Sequence, residues 1–153
     1  MKLLTLFFIL YGCASYETLP QGYPIESEKQ IIENFYSDCL KRRGDCNYTY
    51  EFKVNFVRRL AVGWDKSDAG YCDFLHKTIY INIREWELST RTEKTLLLYH
   101  ELGHCVLKIP FHRDGEVLRD NDKIPKSIMT GKELPTEEQF SNNREYYLDE
   151  LFN

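Results

Sequence analysis

His100-Glu101-Leu102-Gly103-His104 sets two imidazoles four residues apart, with a carboxylate beside the first. On a helix, side chains at that spacing leave one face a turn apart, so both imidazoles can reach a single metal ion. Glu101 stays close to that ion without binding it, where its carboxylate can take a proton from a water activated by the metal. Imidazole donors, tetrahedral geometry and chemistry without electron transfer point to Zn2+. Random placement of four histidines and fifteen glutamates in 153 residues yields this pattern about 0.01 times. Coincidence is therefore a poor explanation.

A hydrolytic zinc needs a third protein ligand and an open position. Three of the four histidines fall within residues 100–112, which makes His112 the leading candidate. Asp114 is second, and Glu116 or the pair Glu137 and Glu138 are further options. His76 lies between two expected strands and reads as exposed or structural.

The elements that must position these groups can be read from periodicity and caps. Ser27 can cap a helix through residue 42, with Ile31, Phe35 and Cys39 on one face and Gly44 at its end. In residues 48–56 every even position is apolar or aromatic, the signature of a half-buried strand that can extend toward residue 62. Residues 63–70 read as a turn, and 71–74 and 77–83 as two further strands. Thr90 and Glu93 fit a capping box that opens a helix through residue 107, stopped by Pro110. On this helix Leu98, Leu102, Cys105 and Val106 form the expected buried stripe, leaving His100 and His104 on an outward face. Residues 108–134 read as an irregular loop. A last helical stretch starts at Thr136, can break at Asn142-Asn143, and carries the apolar pairs Tyr147/Leu151 and Leu148/Phe152. The expected fold class is α+β: a single small domain over 27–153, with a short, mostly antiparallel sheet and an active-site helix flanked by others.

Apolar residues make up 42% and charged residues 29% of the chain, an ordinary globular balance. The net charge of −4 lacks the basic footprint of a nucleic-acid binder. Met1-Lys2 followed by the apolar run 3–10 falls far short of the roughly 20 residues needed to span a bilayer and fits a signal peptide over 1–12. Leu10-Tyr11-Gly12-Cys13 resembles a bacterial lipobox, which implies lipidation at Cys13, a tether over 13–26, and export to the cell envelope. Ala14 after that cysteine implies outer-membrane sorting in a Gram-negative host. Four other cysteines allow two disulfides. Cys39 and Cys46 bracket a short polar loop, so Cys39–Cys46 and Cys72–Cys105 are the expected pairs, with free buried thiols at Cys72 and Cys105 as the alternative.

HELGHC at 100–105, the nearby His112 and the later Ser127-Ile128-Met129 resemble the zincin metallopeptidases, and the metzincin clan in particular. The chain is also similar to small bacterial and phage-borne metallopeptidases with HELGHC, a following SIM and a tyrosine-rich tail such as Tyr146-Tyr147. The resemblance covers residues from about 71 to the end of the sequence. It implies a Met-turn beneath the metal, a role that falls to Met129. It also implies that the strand 77–83 is a sheet edge able to pair with an extended peptide, and that Tyr146 or Tyr147 steadies the oxyanion unless both only pack. The chain departs from the metzincin pattern HExxHxxGxxH: Leu107 stands at the glycine, Pro110 at the third histidine, and His112 two residues beyond it.

These readings converge on an exported, lipid-anchored zinc peptidase acting on a peptide or protein substrate. His100, His104 and His112 are its expected ligands and Glu101 its general base. The alternatives are a lipid-anchored binding or structural module with a non-catalytic zinc, and a domain whose motif holds no metal.

Overall fold

The computed structural model describes residues 26–46, 52–58 and 69–153. The expected signal segment 1–12, Cys13, the tether as far as residue 25, the strand residues 48–51 and most of the 63–70 turn lie outside the described residues. In chain order the elements are α1 (Glu26–Arg43), β1 (Lys53–Val57), β2 (Gly70–Asp73), β3 (Thr78–Asn82), α2 (Ile83–Leu88), α3 (Arg91–Cys105), β4 (Glu116–Arg119), β5 (Asp122–Pro125), α4 (Glu137–Asn142) and α5 (Arg144–Phe152). The fold is α+β, with two small, mostly antiparallel sheets.

The larger sheet has the order β1-β3-β2. β1 runs parallel to β3, with Val54 beside Ile79 and Phe56 beside Ile81, and β2 runs antiparallel, with Cys72 beside Ile79. The strand expected at 77–83 is therefore central and has both edges occupied, so it cannot be the edge that receives a peptide. The edge nearest α3 is β2. The strand is also shorter than its isoleucine alternation suggests, because Asn82 turns the chain: its side chain accepts from the Arg84 amide and opens the unforeseen helix α2.

α3 starts as the sequence dictates. Thr90 Oγ1 accepts from the Glu93 amide at 3.3 Å, and the Glu93 carboxylate accepts from the Thr90 amide at 2.6 Å. The expected division of this helix into an inward stripe and an outward histidine face is not what forms. Residues 96–103 are all buried, His100 and Glu101 included, because the turn at 127–131 covers the face that periodicity assigns to solvent. The helix ends with the Ile109 amide returning to the Gly103 carbonyl at 3.2 Å, and between them Lys108 takes a φ of +58°. That left-handed position is usually glycine, and a lysine there costs about 1 kcal/mol.

The core joins α1, α3 and α5. Phe35 meets Tyr99 edge-on at 5.2 Å and Phe152 at 5.1 Å. Above that contact Asp38 accepts from Tyr99 at 2.9 Å and pairs with Arg144 at 2.9 Å, while Arg42 pairs with Glu145 and Asp149 on α5. Burial beside Asp38 pushes the Tyr99 hydroxyl well above its ordinary value, so it stays a donor. The region 108–134 is not wholly irregular. β4 and β5 form a hairpin around Asp120-Asn121, both at positive φ, the two-residue turn that suits the strand twist.

Two disulfides tie these parts together: Cys39–Cys46 closes the end of α1, and Cys72–Cys105 joins β2 to the last residue of α3. Replacing Cys72 and Cys105 together by alanine should lower unfolding stability by about 3–4 kcal/mol in denaturant titrations, given the loop of 33 residues they close.

Candidate metal centre

His100 and His104 leave α3 toward one point, and His112 reaches the same point from the loop beyond Pro110. The ligand atoms of the three lie within 4.8 Å of one another, a group that could hold a metal ion. The His104 Nε2 stands 3.1 Å from the His100 Nε2 and 3.3 Å from the His112 Nε2. Nitrogens bound at the ordinary zinc distance on the corners of a tetrahedron are separated by about 3.3 Å.

Main-chain carbonyls fix which nitrogen faces the centre. The Nδ1 of His100 donates to the Ile128 carbonyl at 2.8 Å, and the Nδ1 of His104 to the Ile109 carbonyl at 2.6 Å. Each Nδ1 thus carries the proton, and each Nε2 presents a lone pair inward. Two lone pairs at such a distance repel; a cation between them turns the repulsion into coordination. Burial, aided by the neighbouring imidazoles, pushes His100 from its ordinary 6.5 down to about 4, and burial also lowers His104. Both are neutral at neutral pH, the form a metal requires.

Three glycines let the site close. Gly103 lies under the Met129 sulfur, and a Cβ there would collide with it. The backbone of Gly70 on β2 lies against Glu101, where an added Cβ would stand 2.8 Å from the carboxylate oxygen Oε1. Gly131 lies against the ring of His112, again with no room for a Cβ. Met129 itself is fully buried beneath the helix that carries His100 and His104.

The turn that carries Met129 is braced from outside. Its amide donates to Ser127 Oγ at 2.9 Å, Ser127 donates to the Glu150 carboxylate of α5, and Arg113 Nη1 donates to the same carboxylate at 2.8 Å. The Arg113 amide also donates to the Met129 carbonyl at 2.6 Å. Asp114, an alternative third ligand by sequence, is used otherwise: its carboxylate accepts from the Gly131 amide at 2.7 Å and from Thr130 at 3.1 Å. Those bonds, the amide first, hold it below its ordinary value. Glu116 lies on the exposed β4, and Glu137 accepts from Thr92, so neither joins the histidines, nor does Glu138. Tyr146 donates to the Lys126 carbonyl at 2.7 Å, and Tyr147 is fully buried; neither lines the cavity at the histidines. His76 is exposed and pairs with Asp73.

The cavity over this group has a volume of about 730 Å3. His100, Glu101, His104 and His112 line it together with β2 residues Gly70 and Tyr71 and the lysines Lys108 and Lys132. The sequence motif did not single out Gly70, Lys108 or Lys132, since their proximity arises from β2 and the loops folding over α3. Searches against family models, curated proteins and solved structures found no match for this chain.

A soluble form should bind about one divalent metal per chain by elemental mass spectrometry. His112→Ala should lose most of it, whereas Asp114→Asn should keep it. In the metal-free protein His100 binds fewer protons folded than unfolded between about 4 and 6.5. Its stability should therefore fall as pH drops through that window, as a denaturant series at stepped pH would register.

Proposed function

We propose that the protein is a zinc-dependent peptidase with Glu101 as general base. The observation that carries this reading is that Glu101 and the three histidines line one open cavity beside β2, an edge strand among the described residues. A zinc that merely stapled the fold would call for a fourth side-chain ligand. Among the described residues the group has three, which leaves a position facing the cavity.

Zn2+ in this ligand set would supply Lewis acidity toward a carbonyl oxygen and toward water. The protein's own groups do the rest. Ile128 and Ile109 keep both helix histidines in the tautomer that binds. Glu101, backed by Gly70, accepts the proton of the attacking water as its oxygen bonds to the scissile carbon. It then delivers that proton to the departing amine nitrogen as the C–N bond breaks. β2 has β3 on one side and, among the described residues, no strand on the other, so an extended peptide can add there through main-chain hydrogen bonds.

The segment 1–12, Cys13 and the two disulfides support an exported, lipid-anchored protein, since disulfides persist in oxidising compartments. Its substrate would then be a peptide or protein of the cell envelope.

Glu101→Gln keeps the shape of the side chain and removes the base. Turnover of a peptide library followed by mass spectrometry should fall by about 100-fold or more, while bound zinc stays at the parent level. Unaltered turnover would reject the role given to Glu101.

A further inference from the structure

We propose that Lys108 is a substrate-binding residue and that the peptide held in this cleft carries a carboxylate next to the scissile bond. The inference rests on the peptidase reading of the same site and adds its substrate class.

The turn after α3 has one task that its backbone alone can perform: it swings the Ile109 carbonyl back to His104. Glycine at 108 would make that turn without strain, since the residue sits at a φ of +58°. A lysine occupies it instead. Strain alone does not single out Lys108, because Lys77 in the β2–β3 turn is also left-handed, and Asp120 and Asn121 are of types that suit their hairpin turn. What distinguishes Lys108 is its place: the residue is exposed and lines the cavity with His104, Glu101 and Lys132, whereas Lys77 does not.

Charge points the same way. Lys108 and Lys132 are the lysines of the cleft wall and Glu101 is its carboxylate, so the lining carries an excess of positive charge in a chain whose net charge is −4. Among the described residues neither lysine comes within ion-pair distance of a carboxylate, although Lys132 has the Asp114 carboxylate in its field. Both flank the histidine loop, Lys108 four residues beyond His104 and Lys132 directly after the Gly131 that backs His112. A positive pair beside the reacting centre favours anionic partners and disfavours cationic ones.

The test uses fluorogenic peptide pairs that differ only in Glu against Gln, moved through the positions flanking the scissile bond, with zinc-loaded protein. The parent should show kcat/KM roughly five- to tenfold higher for the Glu member at one position, a preference that shrinks with added salt. Lys108→Met should abolish most of that preference and Lys108→Arg should retain it. Lys108→Gly should also lose it while unfolding at the same or a higher temperature, which separates charge from backbone strain. Equal cleavage of both members by the parent, or a preference that survives Lys108→Met, overturns the proposal and leaves the peptidase reading standing. If the parent cleaves neither member, the peptidase reading falls, and fluorescence anisotropy of the labelled peptides decides for Lys108. Tighter binding of the Glu peptide that Lys108→Met removes upholds the anionic site; equal or undetectable binding of the two overturns it.

Discussion

Two imidazole N–H groups donating to main-chain carbonyls set the geometry on which everything else in the site depends. The carbonyls belong to Ile109, in the turn that ends α3, and to Ile128, far along the chain in the turn at 127–131. Because each acceptor is backbone, the ring orientation of His100 and His104 is fixed by the course of the chain. That course is fixed in turn by what lies behind it: the Met129 sulfur over Gly103, and the left-handed turn at Lys108. A metal group whose two helix ligands are held in this way loses little freedom when an ion arrives.

The C-terminal helix belongs to the site without touching it. Glu150 on α5 holds Ser127 and Arg113, and through them both ends of the path from His112 to Met129. The same helix is clamped to α1 by Arg42 and packs Phe152 against Phe35. The tyrosine-rich tail is thus a brace. Tyr146 supports the loop through the Lys126 carbonyl, and Tyr147 fills the core beside Phe140.

What was legible in the sequence is what side-chain pattern and capping chemistry encode. Thr90 with Glu93 marks the start of α3, Ile31, Phe35 and Cys39 mark the inner face of α1, and Thr136 with Gln139 opens α4. The spacing of His100, Glu101 and His104 announces a helix able to hold a metal ion. Other features escaped because they are properties of the assembled chain. The isoleucine alternation at 79, 81 and 83 hides the Asn82 cap that ends β3 and starts α2. Charged residues in 116–125 disguise a hairpin whose signal is the pair Asp120-Asn121. Periodicity marks one stripe of α3 as inward, whereas the turn at 127–131 buries the opposite face as well, and no local pattern reports a covering that comes from far along the chain. The carbonyl partners of the two histidines were invisible for a simpler reason: every residue has a carbonyl.

The bond between Cys72 and Cys105 gives the cleft an uneven mechanical character. It fastens the wall made by β2 to the end of α3 through a covalent link, so that wall and floor are tied together. The opposite wall, around Thr130, Gly131 and Lys132, is held by hydrogen bonds to Asp114 and by contact with His112. Hydrogen bonds at an exposed loop open far more readily than a disulfide yields. The two walls of the cleft therefore differ in stiffness: one is stapled covalently, and the other is held only by bonds that a small displacement can break.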